Sequence, residues 1–419
     1  MMLSARYFFQ WIISFASTAS ISAATLGFLI LGFRIYDAVT DPMAGHISDK
    51  LTKIPRVRIM NYSVPIFALG LILCFLPNPE MQASTKWILE FLGMTLFFTG
   101  YTFYCIPYWG LVGDYAGPDI NLSRTLSNLL GFGLLIATAI GFLASPALVS
   151  KFGYLNGAII ITMFSCCLML LPNLCKLPAE RVATVAAEKG LFREIFSSLL
   201  QTFKQKNFLA VCILFVGSQM SLTIMTASAP FLVSKLLNGK TSDIAFLMGP
   251  MIGVAIPSFL LSQKLSKLWG WEKSVYRASI LLACLYALTS LIGISIIGSP
   301  LLTASFIFSF SGIPIAVLLG LEAEAVSFCA MAENQGNKIS TYFGAINFLI
   351  KTFNGIALML TGILTDFSNQ IGSNNPIRAL PIIAGSCLVL SLVVSLLIKR
   401  LASAQTSKTS RSKTAMTSA

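Results

Sequence analysis

Three ionisable side chains, Arg34, Asp37 and Asp41, lie within a segment that is otherwise apolar enough to span a bilayer. Each charge near the bilayer centre costs roughly 2.5–3.5 kcal/mol on the insertion scale, so such groups usually belong to an ion or substrate pathway. At helical spacing the three side chains fall on one face, with the two carboxylates one turn apart. Two carboxylates and one guanidinium sum to one negative charge, which a bound monovalent cation would neutralise. The segment therefore predicts a cation site.

A structural ion pair is the alternative interpretation of this segment. Arg34 can satisfy one carboxylate in a bidentate pair. The second carboxylate then remains in a low-dielectric environment unless a cation or proton joins it. Because unpaired carboxylates within a membrane are costly, the charge count favours the cation site.

The composition is that of a polytopic membrane protein. Hydrophobic residues make up 56% of the 419 residues, charged residues only 11%, and the mean hydropathy is +0.80, far from the balance of a soluble domain. The first apolar block, 7–48, is too long for one span, and its small polar stretch 17–22 predicts a turn. Ten further apolar runs are long enough to cross a bilayer, which makes twelve predicted helices: 60–77, 87–113, 125–148, 154–172, 207–232, 243–263, 278–298, 300–326, 339–366 and 379–398.

The first predicted helix is short, with 12 to 15 residues against the ~20 that cross a bilayer, so we expect the chain to begin inside helix 1. A cleavable secretory signal is the competing interpretation, built from Arg6, the apolar run 7–15 and the small residues 16–24. That interpretation would leave helix 2 without its partner.

The longest polar interruption, 173–206, divides the predicted helices six and six. It mixes charges with apolar residues at helical spacing, which predicts an interfacial linker helix. We therefore expect an all-α integral membrane protein of the major facilitator fold, with twelve transmembrane helices in two six-helix bundles. The predicted parts are an N-terminal bundle (1–172), a cytoplasmic linker (173–206), a C-terminal bundle (207–398) and a disordered cytoplasmic tail (399–419).

The basic residues set the expected orientation. Of the 29 Lys and Arg residues, 21 lie in one set of loops and the tail, five lie in the opposite loops, and the other three are Arg6, Arg34 and Lys351. The positive-inside rule places both termini in the cytoplasm of a protein of the cell inner (cytoplasmic) membrane. The same asymmetry explains the net charge of +13, so no nucleic-acid partner is expected.

Other chemistry is weakly represented in the sequence. The nine cysteines lack metal-ligand spacing, and the single histidine, His46, ends helix 2. Nucleotide loops, catalytic triads and zinc patterns are not found in the sequence. We therefore expect neither an enzyme nor a cofactor other than the coupling cation.

Two motifs carry a family resemblance. Residues 34–42 (Arg-Ile-Tyr-Asp-Ala-Val-Thr-Asp-Pro), followed by Gly45 and Asp49, resemble the helix 2 motif of the glycoside-pentoside-hexuronide:cation symporters, the melibiose-permease-like family of the major facilitator superfamily. Residues 101–112 (Tyr-Thr-Phe-Tyr-Cys-Ile-Pro-Tyr-Trp-Gly-Leu-Val) are similar to its helix 4 pattern.

The resemblance implies a cation site in which Asp37 and Asp41 supply the carboxylates and Thr102 is a neighbour from helix 4. Thr40 stands where the family carries an asparagine, and its hydroxyl can still coordinate a hard cation. Cys105 replaces the helix 4 aspartate that binds sugar hydroxyls in the family, so a sugar site of that type is not supported.

The resemblance also implies substrate or coupling residues: Arg34, Arg124, Lys351, Tyr104, Cys105 and Trp109. Lys351 lies twelve residues into predicted helix 11, about 18 Å from its end and hence near the midplane. It either lines a central cavity or pairs with an acid such as Glu324. Tyr104, Tyr108 and Trp109 either stack on the substrate or pack in the bundle.

A cytoplasmic gate is predicted between helices 2 and 3. Gly45, Asp49, Arg56 and Arg58 resemble the gate motif of the superfamily, in which acidic and basic residues latch the two bundles.

The sequence thus predicts a Na⁺- or H⁺-coupled symporter of a small polar solute, which the resemblance suggests is a sugar or glycoside. Within the transporter class, a carrier of nucleosides, lysolipids or other amphiphiles is the alternative, and outside it a non-transporting membrane sensor with the same fold. We expect a monomer whose partners are the solute, a monovalent cation and the lipid bilayer.

Overall fold

The computed structural model describes residues 1–50, 54–116, 120–175, 200–292, 299–332 and 339–417. The long run Ile120–Met169 is broken at Gly153 (φ 76°, ψ 177°), and we name the segments before and after this residue α5 and α6. The other long helices are α1 (Met2–Thr18), α2 (Ala23–Lys50), α3 (Arg56–Cys74), α4 (Ala83–Ala116), α7 (Lys206–Phe231), α8 (Asp243–Trp269), α9 (Trp271–Thr289), α10 (Pro300–Ala332), α11 (Ile339–Ile371) and α12 (Asn375–Thr417).

The described residues thus form twelve long helical segments in the predicted order, and they contain no strand. Nine stretches of these residues are long and apolar enough to cross a membrane, and one of them, Ile136–Leu174, runs through the break between α5 and α6. α1 and α9 are not among the nine. The run predicted for α9, 278–298, extends into residues 293–298, which are outside the described part. The crossing of the membrane by all twelve segments stays a prediction.

The first helix packs inside the N-terminal bundle. α1 has 17 residues, more than the 12 to 15 expected but still fewer than the ~20 needed to cross a bilayer. Tyr7 donates a hydrogen bond of 2.6 Å to the carbonyl oxygen of Tyr154 in α6, and Trp11 is buried. The predicted turn at 17–22 is confirmed, since α1 ends at Thr18 and α2 begins at Ala23.

Lys86, near the start of α4, bonds the turn between α1 and α2. Its side chain is buried, and its ammonium donates hydrogen bonds to the carbonyl oxygens of Ala19 (2.9 Å) and Pro79 (3.2 Å). A cation is favourable beside the carbonyl groups at a helix C-terminus. Lys86 therefore stabilises the turn between α1 and α2.

The helices pack as two groups that meet along a seam. In the first group α3 packs on α4, α4 on α2, and α1 on the α5–α6 pair; in the second α8 packs on α10, and α7 and α9 on α12. The two groups meet where α2 packs on α11, α1 on α7, and α5 on α8. The predicted bundle boundaries, 1–172 and 207–398, stay a prediction, and most of the linker, residues 176–199, is outside the described part.

The C-terminal tail differs from its prediction. We expected disorder from 399 onwards, whereas the backbone of α12 continues as a helix to Thr417. Extending an existing helix adds one hydrogen bond per residue without a new nucleation cost, so a polar segment can follow a long apolar helix in this way.

Close packing of α2 on α11 depends on glycine. A Cβ atom at Gly27 would lie 2.7 Å from Cα of Met359, and one at Gly355 would lie 3.0 Å from Cβ of Arg34. Small residues let helix backbones approach each other within a membrane. The approach brings α11 next to the charged face of α2.

Asp366 of α11 holds together the ends of α11 and α2 that the predicted orientation places outside. Its carboxylate accepts hydrogen bonds from the hydroxyl of Ser22 (2.6 Å) and from the backbone N–H groups of Ala23 (3.1 Å) and Ala24 (2.9 Å). These groups form the N-terminus of α2, where an anion is stabilised by unpaired N–H donors and by the helix dipole. The contact crosses the seam between the bundles.

We expect Asp366→Ala to open the outer end of the seam. Hydrogen bonds to a charged group contribute ~1.5–3 kcal/mol each, so losing three should raise outer accessibility at least ~10-fold. The measurement is labelling of a Ser14→Cys reporter, half-buried in the cleft between α1, α7 and α11, with a membrane-impermeant maleimide, read by peptide mass spectrometry.

Asp243→Ala is the matched control for this experiment. Asp243 also lies at an outer helix end, but its carboxylate bonds Lys240 and Ser242 of its own bundle. Equal labelling rates in the Asp366→Ala and Asp243→Ala variants would contradict the latch.

Candidate cation site at the seam between the bundles

Three helices bring two carboxylates, a hydroxyl and an ammonium together. Asp37 and Asp41 come from α2, Thr102 from α4 and Lys351 from α11. The Thr102 hydroxyl is 2.8 Å from Oδ1 of Asp37 and 3.3 Å from Oδ1 of Asp41. The Lys351 ammonium lies 3.1 Å from Oδ2 of Asp37 and forms an ion pair with Asp41. The side chains that the helix 2 and helix 4 motifs predicted together are therefore adjacent.

Arg34 completes the cluster from within α2. Its guanidinium lies 3.1 Å from Oδ2 of Asp37 and 4.9 Å from the centre of the Phe9 ring. Asp37 has no exposed surface, so its negative charge depends on these partners. The side chain of Asp41 is 20% exposed, which makes Asp41 the carboxylate that an ion can reach.

The net charge of the whole cluster differs from the net charge of its α2 residues alone. Arg34, Asp37 and Asp41 sum to one negative charge, and the ammonium of Lys351 brings the cluster to zero. Buried charges that are paired avoid most of the penalty of an isolated charge. An entering cation would therefore have to compete with Lys351 for the two carboxylates.

Lys351 forms ion pairs with acids, which was one of its two predicted alternatives. Its partners are the two acids of α2. Glu324 instead accepts a hydrogen bond of 2.7 Å from Ser266 of α8. The lysine therefore links the C-terminal bundle to the N-terminal bundle at mid-depth.

Thr40 does not point at the carboxylates. Its hydroxyl donates a hydrogen bond of 3.2 Å to the backbone carbonyl of Asp37, one turn earlier, as threonine commonly does within a helix. The structure thus gives Thr102, and not Thr40, the hydroxyl next to both acids. The ligand role of Thr40 stays a prediction.

The helix 4 residues separate into buried and exposed positions. Cys105 is buried. Tyr104 is also buried, with its hydroxyl donating 2.8 Å to the carbonyl oxygen of Met169 and its ring stacked on Tyr108. The hydroxyl and the ring of Tyr104 thus have partners within the bundle, and its predicted contact with the substrate stays a prediction. Trp109 is 39% exposed on α4.

The predicted gate residues have partners within the N-terminal bundle. The guanidinium of Arg56 lies 2.9 Å from Oδ2 of Asp114 in α4 and 3.3 Å from the Ser48 hydroxyl in α2. Gly110 makes room for this guanidinium, since a Cβ atom there would lie 2.7 Å from Cζ of Arg56. These bonds join α2, α3 and α4, and the predicted latch between the bundles stays a prediction. Arg58 is exposed.

Three predicted positions have no described side chain. Gly45 and Asp49 lie in the last turns of α2, and Arg124 lies in the first turn of α5. Their predicted roles in the gate and in substrate binding fall outside the described side chains.

Two polar residues outside the predicted site make contacts between helices. Asp366 ends the predicted run 339–366 and bonds the start of α2. Gln219 lies inside the apolar run 207–232 and bonds Glu322 of α10. A signal was present in both cases, since each polar side chain lies within an apolar run or at its end.

The fold and the charged seam together define a class of protein. Two helical bundles that enclose paired charges at mid-depth are the architecture of a major facilitator transporter. The sequence agrees, because a family described as MFS/sugar transport protein matches residues 3–401. The chain belongs to this family. A search of curated proteins found no match to the sequence.

Solved transporter structures share the fold at low sequence identity. The nucleoside transporter NupG (D323A mutant) is 15% identical with a TM-score of 0.66, over 95% of this chain and 97% of that one. A bacterial homolog of the human lysosomal transporter Spinster, inward-facing and occupied, is 15% identical with a TM-score of 0.68, over 95% of both chains. A POT family transporter in complex with a thioalcohol-conjugated peptide is 12% identical with a TM-score of 0.66, over 95% of this chain and 94% of that one.

Proposed function

We propose that this chain is a symporter that couples Na⁺ or H⁺ to the movement of a small polar solute, of the sugar or glycoside class, by alternating access of its two bundles. The observation that carries the proposal is the convergence of Asp37, Asp41 and Thr102 on one another at the seam. Carboxylate and hydroxyl oxygens are suitable ligands for a hard cation, and either carboxylate can hold a proton.

Cation binding would change the contact between the bundles. In the absence of a cation, Lys351 of α11 neutralises the acids of α2. A cation placed among Asp37, Asp41 and Thr102 would repel the ammonium, since two unit charges 4 Å apart interact by ~4 kcal/mol at an effective dielectric constant near 20. Lys351 would then leave the carboxylates, and its two ion pairs across the seam would be lost.

The released ammonium supplies a route to coupling. It would remain at mid-depth and would need a new partner, because an unpaired buried charge is costly. A hydroxyl or anionic group of the solute is such a partner. Cation and solute would therefore favour each other's binding, which is the thermodynamic requirement of symport.

The proposed solute class rests on the description of the family and on the residue at position 105 of helix 4. The family is described as sugar transport, which supports a polyhydroxyl solute. Cys105 is buried and carries no carboxylate, so sugar hydroxyls would have to be bound by other polar groups.

Cation-dependent solute binding tests the proposal. Purified protein in detergent is heated with methyl glucoside, uridine or a lysophosphatidylcholine, each with and without Na⁺ and at two pH values. We expect one solute to raise the melting temperature by several degrees, and to do so more strongly when the coupling cation is present. A solute that stabilises the protein equally at every Na⁺ concentration and pH would contradict coupling. Stabilisation by the lysolipid alone would contradict the sugar class.

A further inference from the structure

A second polar pair lies in the C-terminal bundle. Nε2 of Gln219 in α7 donates a hydrogen bond of 2.9 Å to Oε2 of Glu322 in α10. Among the described residues, Oε1 of Glu322 and the amide oxygen of Gln219 accept no hydrogen bond. Both side chains are partly accessible. The pair therefore presents acceptor oxygens that are available to a ligand.

The pair faces the protein interior. α7 has the largest buried share among the nine apolar stretches, 67%, and it packs against α1, α10, α11 and α12. Glu322 bonds to this central helix. Glu324, two residues later, points in another direction, because it is exposed and accepts its hydrogen bond from Ser266 of α8.

The pair also lies at the depth of the cation site. Counted from the predicted cytoplasmic helix ends, Gln219 follows Lys206 by 13 residues and Glu322 precedes Ala332 by 10. Lys351 follows Ile339 by 12, and Asp41 precedes Lys50 by 9. At 1.5 Å per residue these positions are about 14–20 Å from the helix ends. The two polar clusters therefore lie at a similar depth, the cation cluster at the seam and the pair inside the C-terminal bundle.

We propose that Gln219 and Glu322 form the solute-binding subsite of the C-terminal bundle, which accepts hydrogen bonds from a hydroxyl or amine group of the solute. This inference rests on the proposed function. The cation cluster is neutral without Glu322, so this carboxylate is not required to balance Lys351 or Arg34. A carboxylate at this depth is costly unless it has a further partner, and a donor group of the solute supplies one.

The subsite gives the solute a contact with each bundle. Lys351 and the acids of α2 lie at the seam, and the pair lies between α7 and α10. A solute that touches both would hold the bundles in one arrangement, while an empty site would not. Glu322 thus replaces in part the acceptor that Cys105 does not supply on helix 4.

The test is solute binding to Glu322→Gln, with Glu324→Gln as the matched control. The probes are methyl glucoside, which offers sugar hydroxyl groups, uridine, which is a nucleoside, and ethanolamine, which carries an ammonium group. We expect the probe that stabilises the wild type to bind Glu322→Gln about 10- to 100-fold more weakly, the effect of losing one hydrogen bond to a charged group. Glu324→Gln should bind it as the wild type does, and Glu322→Asp should recover part of the affinity.

Measuring the cation affinity distinguishes a defect in the solute subsite from a defect in cation coupling. The Na⁺ or H⁺ concentration for half-maximal stabilisation should be the same in Glu322→Gln and the wild type, because the pair lies outside the cation cluster. A probe that binds Glu322→Gln and the wild type equally would overturn the subsite and leave the proposed function intact. If no probe stabilised the wild type, the proposed function would fail. The melting temperature without probe verifies that each variant is folded.

Discussion

Asp41→Asn should abolish concentrative uptake while solute exchange across the membrane continues. Asp41 is the more accessible of the two carboxylates, and its partners are Lys351 and Thr102. A unit charge 4 Å from a cation is worth ~4 kcal/mol at an effective dielectric constant near 20, so cation affinity should fall at least ~100-fold. Without differential cation binding, the gradient cannot bias the states of the transporter.

The measurement compares accumulation with exchange in proteoliposomes. Under an imposed cation gradient, the internal solute concentration should rise above the external one with the wild type and only equal it with Asp41→Asn. Preloaded vesicles should still exchange labelled solute. Asp243→Asn, an acid at the outer end of α8, is the control. Normal accumulation by Asp41→Asn would exclude Asp41 from coupling.

Asp37→Asn should behave differently because of its position. Asp37 is fully buried and accepts from Arg34, Lys351 and Thr102. Removing one partner of a buried ion pair costs ~3–5 kcal/mol, since the other charge remains unpaired. We therefore expect Asp37→Asn to lower the melting temperature and to lose exchange together with accumulation. Equal melting temperatures in the two variants would contradict this distinction.

Lys351→Ala should tighten cation binding and slow solute uptake. Removing the ammonium leaves Asp37, Asp41 and Arg34 with one net negative charge, so a cation binds without displacing a lysine. The half-saturating cation concentration should fall at least ~10-fold. Uptake should also fall at least ~10-fold, because the link between α11 and α2 and the partner offered to the solute are both lost.

Cation titrations of uptake test this prediction. Lys240→Ala is the matched control, since Lys240 is exposed in the loop between α7 and α8 and its side chain makes no described bond. Lys351→Arg should keep the positive charge and restore part of the cation competition. An unchanged half-saturation together with an unchanged rate in Lys351→Ala would make this lysine a structural charge only.

The sequence alone predicted the elements and one face of the site. Apolar runs are local, so their lengths predicted twelve helical segments and the turn between α1 and α2. The spacing of Asp37 and Asp41 is also local, since residues three or four apart share a helix face. Basic residues in alternate loops predicted the orientation without reference to packing.

The tertiary structure decided which charges meet. Lys351 pairs with acids 310 and 314 positions earlier in the chain, a pairing that changed the net charge of the site from negative to neutral. Arg56 bonds Asp114, which lies 58 positions later in the chain and in another helix. The reason is that lipid tails are as apolar as leucine, so hydropathy places a helix in the membrane without choosing its neighbours. Glycines such as Gly27 and Gly355 determine which helix can approach closely. This fit between two helix surfaces is defined only when the helices are packed.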